Sequence, residues 1–500
     1  MLMQRARLIA VTAGAVGVLV AVPAAAVDSG LGAPGIGDVY YPDYGNGGYD
    51  VSHYDLRLKY QPVSDQLEGT ATILATAKQD LTRFHLDFAL DVSAVQVNGQ
   101  DAKYVASGGH ELVVTPPSTL RAGRPMNVVV RYSGTPSKVK IDNLTPWQRT
   151  VDGAVAANEP EMAWWWFPSN DHPLDKATYD VSVAVPDGTK AISNGVLTRR
   201  TSQFGWTRFD WRVSQPQATY LATLAIGKFD MRFATTKSGL PMVTAYSDNL
   251  GSAAGAAKAS VERTGEVIEW ESGIFGPYPF DAAGGYVPQT NVRFALETQT
   301  RSFYSPAFFA RGSNLYVVVH ENAHQWFGDS VSVASWRDIW LNEGFATYAE
   351  WLWSEKQGEG TAQQLADFTY AFYPASSSFW KVKPGDPGKG KEFHESVYDR
   401  GALALQALRN TVGDAAFFRT LREWVAAKKY GNATITEFVA LAEKVSGKQL
   451  DELFKTWLFT SGRPAARPAA HAARLTASAP ERPRSWERIH RTHEHLHGRP

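Results

Sequence analysis

Cysteine is absent from all 500 residues. That absence excludes a disulfide framework, a thiol nucleophile, a cysteine-ligated metal and a lipid-modified cysteine. Net charge is absent as well, because 50 Lys and Arg balance 50 Asp and Glu. Such a balance gives no pull toward nucleic acid or an anionic membrane. Beyond the N-terminal segment no apolar run is long enough to span a bilayer. There is no internal repeat and no G-x-S-x-G elbow. Residues 385–392 nearly spell a phosphate-binding loop, but Glu392 stands where Ser or Thr is required.

What is present is apolar and aromatic material: 44% hydrophobic residues and 16 Trp. That supply is ample for more than one core and predicts two or more domains. Residues 1–26 read as a secretory signal, with Arg5 and Arg7, an apolar stretch over 8–22, and Ala24-Ala25-Ala26 before the cleavage point. A secreted, extracellular protein is the expectation. Residues 27–48 are rich in Gly and Pro and predict a loose leader. From 49 to 230 the pattern is mostly β, as in the alternation from His53 to Tyr60. From 231 to 462 helical periodicity dominates. A tail over 463–500, rich in Pro, Ala, Arg and His, predicts disorder, with His493, His495 and His497 in solvent.

The chemistry concentrates in His320-Glu321-Asn322-Ala323-His324, followed after eighteen intervening residues by Glu343. On a helix His320 and His324 lie about one turn apart, so both imidazoles leave the same face. Two imidazoles so spaced can share one zinc ion. Glu343, on a second helical segment, offers a third ligand. Three protein ligands leave one tetrahedral position open, which marks a catalytic rather than a structural site. Glu321 is placed to act on a water there. Charged groups are rarely buried without such partners, which weighs against two packed histidines and a chance salt bridge.

These segments resemble the aminopeptidase N family of gluzincin zinc metallopeptidases, which includes the leukotriene hydrolase branch. The similarity runs from about residue 49 to about residue 464. The resemblance implies one zinc per chain on His320, His324 and Glu343, with Glu321 as general base. It implies a fold of the α+β multidomain class: an N-terminal antiparallel β-sandwich or saddle domain, then a thermolysin-like, mainly α-helical catalytic domain. In the family a Gly-Ala-Met-Glu-Asn-type segment precedes the zinc motif, and its Glu binds the substrate amine. Here Phe294-Ala295-Leu296-Glu297-Thr298 matches at Glu297 and departs at Phe294, Leu296 and Thr298. A second amine contact eight residues before a Phe-Pro pair falls on Glu159, ahead of Phe167-Pro168. Tyr398, in Tyr398-Asp399-Arg400-Gly401, matches the family tyrosine that faces the metal. Most relatives add a large helical C-terminal domain, and this sequence resembles a short form without it.

The expectation is therefore a secreted zinc aminopeptidase, a monomer, acting on peptides with a free N-terminus, with no nucleic-acid partner and no stable membrane insertion after signal cleavage. An endopeptidase on the same zinc centre is the nearest rival. A zinc-bound, non-catalytic surface-binding protein is the rival from another class.

Overall fold

The computed structural model describes residues 30–141, 144–465 and 480–496. The signal call on residues 1–26 and the call on His497 lie outside the described residues. No described helix is long and apolar enough to cross a membrane.

The N-terminal half is built on an eight-stranded sheet. Its centre is Tyr49–Gln61, flanked by Gln66–Ala77 and Ala177–Pro186. Alternation works as expected: Tyr54, Leu56, Leu58 and Tyr60 turn inward while Arg57 and Lys59 face water. Trp164, Trp165 and Trp166 are fully buried in the same core. One pairing departs from the antiparallel expectation. Tyr49–Gln61 runs parallel to Ala177–Pro186, with Tyr54 opposite Tyr179. More than a hundred residues separate these strands, so no hairpin dictates their direction. A four-stranded sheet (Lys190–Ser193, Leu224–Gly227, Ala154–Ala156, Trp147–Arg149) delivers the chain to Glu159.

The second half opens with strands rather than helices. Phe229–Thr235, Pro241–Ser247, Ala283–Val287, Ser302–Tyr304 and Ala295–Leu296 form a mixed five-stranded sheet. Ala295–Leu296 is its edge, paired antiparallel to Ser302–Tyr304, and it ends one residue before Glu297. Two helices, α1 (Ala254–Val261) and α2 (Thr264–Phe275), interrupt that sheet before Ala283–Val287, and α3 (Leu315–Ala323), α4 (Trp340–Gln357), α5 (Ala362–Phe372), α6 (Gly401–Val412), α7 (Asp414–Lys428), α8 (Ile435–Ser446), α9 (Asp451–Phe454) and α10 (Trp486–Leu496) follow it. One apolar cluster spans them, with Trp326, Trp336, Trp340 and Trp380 at zero exposure.

Two expectations about the ends of the chain need correction. Residues 30–48 have almost no regular structure but are not loose. Asp38 accepts from the backbone N–H of Tyr40 (2.8 Å) and Trp336 (3.0 Å) and pairs with His172 (3.3 Å). Burial opposes the Asp38 charge, but these bonds outweigh it and hold its pKa below the carboxylate range. Residues 480–496 are not disordered either. They end in α10, whose Trp486, Ile489, Thr492, His493 and Leu496 are buried. The reason is periodicity: those positions recur every three or four residues, a helical apolar face that a Pro-, Arg- and His-rich composition disguised.

Candidate metal centre and active site

α3 starts where Asn314 caps it, its side chain accepting from the N–H of Tyr316 (3.1 Å) and Val317 (3.4 Å). Eight of its nine residues are buried. The helix ends at His324, and the chain reverses at Gly328, whose φ is +138°. A Cβ there would sit 3.4 Å from His324 Nδ1, so glycine lets the reversal pass close to the imidazole.

α4 packs across α3 and carries Glu343 in its first turn. One Glu343 oxygen lies 3.2 Å from His320 Nε2 and 3.4 Å from His324 Nε2. Donor atoms of the three residues fall within 4.8 Å of one another, all fully buried. The second nitrogen of each ring is engaged elsewhere. His320 Nδ1 meets Glu350 at 2.7 Å, and His324 Nδ1 meets the Phe327 carbonyl at 3.1 Å. Both Nε2 atoms are thereby aimed at Glu343. Two imidazole nitrogens and a carboxylate oxygen, with their outer contacts in place, fit a zinc ion.

Glu297 and Glu321 flank this set. Donor atoms of Glu297, Glu321 and His324 also lie within 4.8 Å of one another. Glu297 is held by contacts on either side of the interdomain boundary. Gln325, just past the motif, donates to the Glu297 carbonyl (2.9 Å) and accepts from Thr300 N–H (2.7 Å). Thr300 stands at φ +68° and donates its hydroxyl to the Gln299 carbonyl. From the N-terminal half, Asn194 donates to the Gln299 carbonyl (2.8 Å), and Arg301 donates to Gly195 (3.0 Å). Tyr220 points its hydroxyl at Glu297, 3.4 Å away.

Glu159 is buried, and its charge acts on Tyr220 and Asp329, as does that of Glu297. These two carboxylates and Asp329 thus share one acidic region beside His324. Burial first, then Glu297, pushes the Asp329 pKa well above the carboxylate range. Burial lowers the His324 pKa, but Glu297 and Glu343 outweigh it and raise it. Lys176 enters from the N-terminal half and donates to the carbonyls of Asp329 (2.7 Å) and Ser330 (3.2 Å). Its burial holds its pKa down at about 7.

Tyr398 sits in a turn of π-helix over Ser396–Arg400 that leads into α6. Its ring stacks on His320 with centroids 5.9 Å apart and planes 19° from parallel. The seven residues singled out from sequence (His320, Glu321, His324, Glu343, Glu297, Glu159 and Tyr398) are therefore gathered in one buried region.

Sequence reading missed Glu350, Asp399 as a partner, Tyr220, Asp329 and His493. Glu350 carried a usable signal: it lies seven residues after Glu343, on the same face of α4. His493 carried only the helical recurrence of its buried face, which composition hid, because a histidine in an Arg- and His-rich tail is ordinarily solvated.

The family model described as the peptidase family M1 domain matches residues 304–457, and the peptidase M1 N-terminal domain matches residues 51–221. An M1 zinc metallopeptidase from Deinococcus radiodurans superposes with a TM-score of 0.79 at 33% identity, over 88% of this chain and 100% of that one. A mutant of such an enzyme, bound to a Tyr-Ser-Ala substrate, superposes at 0.77 with 33% identity, over 89% of this chain and 99% of that one. Among curated relatives, the glutamyl aminopeptidase of Sus scrofa is 28% identical over 331 residues, 62% of this chain. This chain spans 35% of that protein's length. Aminopeptidase M1 of Arabidopsis thaliana is 25% identical over 454 residues, 82% of this chain and 50% of its own length.

Proposed function

Because this chain belongs to peptidase family M1, we propose that it is a zinc aminopeptidase that removes the N-terminal residue of peptides. The observation that carries this reading is the Glu297 carboxylate beside Glu321 and His324, with all three donor atoms within 4.8 Å. A carboxylate beside a histidine of the candidate metal site suits a substrate whose ammonium lies next to the bond to be cut. The Tyr-Ser-Ala substrate bound to the solved relative supports a peptide substrate.

His320, His324 and Glu343 would hold the zinc ion. When bound, the ion polarises the scissile carbonyl and acidifies a water. Glu297 and Glu159 hold the substrate ammonium, which sets how far the peptide can enter. Glu321 removes a proton from the attacking water and returns it to the leaving nitrogen. The Tyr398 hydroxyl donates a hydrogen bond to the oxygen on which negative charge develops. Glu350 keeps His320 Nδ1 engaged and so fixes the ring. Secretion rests on the N-terminal sequence, and N-terminal sequencing of exported protein, expected to begin at Val27, tests it.

The experiment is hydrolysis of one peptide, free and then N-acetylated, with and without a zinc chelator. Cleavage of the free form alone, abolished by chelator, is the expected result. Equal cleavage of both forms would move the protein to the endopeptidase reading. No cleavage of either by the zinc-loaded protein would leave the binding-protein reading standing.

A further inference from the structure

α10 docks on the two helices that carry the metal-site groups. Asn314, the cap of α3, donates to Thr492 Oγ1 at 2.9 Å. Ser485 and Ser354, near the end of α4, share a hydroxyl contact at 2.7 Å. Arg488 pairs with Glu359 and lies over the Tyr316 ring, 5.4 Å from its centroid. These contacts seat the buried face of α10 beside the metal site.

At the centre of that face His493 has both ring nitrogens engaged. Nδ1 lies 2.8 Å from Asp399 Oδ1, and Nε2 lies 2.9 Å from Glu350 Oε1. The same Glu350 oxygen meets His320 Nδ1 at 2.7 Å. Asp399 directly follows Tyr398 and accepts from Tyr373 Oη at 2.9 Å. The His493 ring is 6.2 Å, centroid to centroid, from both the His320 and the Tyr398 rings.

We propose that His493 is a positioning residue for the metal site: by bridging Glu350 and Asp399 it fixes the carboxylate that orients His320 and steadies the turn that carries Tyr398. The inference rests on the metallopeptidase reading above and adds a contribution from the segment after residue 479.

The physical case is one of rotational freedom. A carboxylate held by His320 alone can swing about its last torsion. One oxygen shared between two N–H donors cannot swing without breaking both bonds. Glu350 is fully buried, so bulk water is not at hand to replace a lost donor. His320, Glu350 and His493 also satisfy the spacing of a metal cluster. A second ion there would have to displace hydrogen bonds already made at both His493 nitrogens and at Glu350 Oε1. The hydrogen-bonded chain is the better account of the same three residues.

The test uses the full-length protein and three variants: His493→Ala, His493→Gln and Thr492→Val. The readouts are the zinc dissociation constant by chelator competition, the melting temperature of the zinc-free protein, and kcat and KM on a dipeptide at saturating zinc. His493→Ala is expected to weaken zinc about ten-fold, the lower end for a group outside the ligand shell. It should lower kcat more than KM. His493→Gln, which keeps an N–H donor, should recover part of both. Thr492→Val, which loosens α10 without touching Glu350, should change neither.

Unchanged zinc affinity and kcat in His493→Ala would overturn the proposal. So would an equal loss in Thr492→Val, which would make docking alone the cause. A rise in kcat/KM in His493→Ala would overturn it too and make α10 an obstruction. If the parent protein itself binds no zinc, the metallopeptidase reading falls first. If the parent binds zinc and cleaves, and His493→Ala matches it, the positioning role alone falls.

Discussion

Gly344 and Gly401 face each other where α4 meets the start of α6, so closely that a Cβ on Gly401 would lie 3.1 Å from the Gly344 Cα. It would also lie 2.6 Å from Trp340 Cδ1, and the Trp340 indole donates to the Gly401 carbonyl at 3.2 Å. Gly344 directly follows Glu343, and Gly401 stands three residues after Tyr398. The crossing thus sets the distance between Glu343, a proposed metal ligand, and Tyr398.

Gly401→Ala should therefore act on both stability and catalysis. Overpacking of this kind costs about 1–3 kcal/mol. The melting temperature should fall, and kcat should fall beyond what the lost stability explains, while zinc is retained. A variant with wild-type kcat and melting temperature would show that the crossing yields at no cost.

Glu321→Gln removes the proposed proton acceptor and keeps the volume of the side chain. Zinc content, measured by atomic absorption, should stay at one per chain because Glu321 is not among the three proposed ligands. Turnover should drop by about 10²–10⁴-fold, the range for a general base. Near-normal turnover would remove Glu321 from the mechanism.

Glu297→Gln separates recognition from chemistry. A charge-assisted hydrogen bond to an ammonium contributes about 1.5–3 kcal/mol, so kcat/KM on free peptides should fall roughly 10- to 100-fold. Zinc affinity, measured by chelator competition, should be unchanged. A matching loss of zinc affinity would show that Glu297 supports the metal site rather than the amine.

The docking of α10 should depend on pH. Burial disfavours the His493 imidazolium, but Glu350 of α4 and Asp399 of the π-helical turn outweigh it and push its pKa up to about 10, from an ordinary 6.5. The other titratable groups around it are His320, Tyr398, and the Tyr373 and Glu395 that flank Asp399. A raised folded-state pKa means stabilisation that is full below about 6.5 and is lost as pH rises through about 10. Urea unfolding of the parent and of His493→Ala should show a stability difference that shrinks across that window. A difference independent of pH would mean that His493 is buried neutral.

The parts of the site legible in sequence are those whose geometry is local. His320 and His324 share a face because a helix repeats every 3.6 residues, whatever packs against it. The β alternation of Tyr54, Leu56 and Leu58 is local in the same sense. Glu343 was read from its place after the histidine pair; Glu297, Glu159 and Tyr398 were found by resemblance to known motifs, because nothing in their spacing alone brings them to one point.

Tertiary structure decided the rest. The parallel pairing of Tyr49–Gln61 with Ala177–Pro186 joins strands with no shared turn. The Asp38 contacts tie the leader to both halves across 134 and 298 residues of sequence. His493 reaches Glu350 across 143 residues. The amphipathic face of α10 is written in its own residues, but the surface that receives it is assembled from α3, α4 and the turn at Tyr398. Sequence by itself determines which face a helix hides; only the folded chain determines what that face is hidden against, because that contact joins segments whose separation along the chain carries no geometric information.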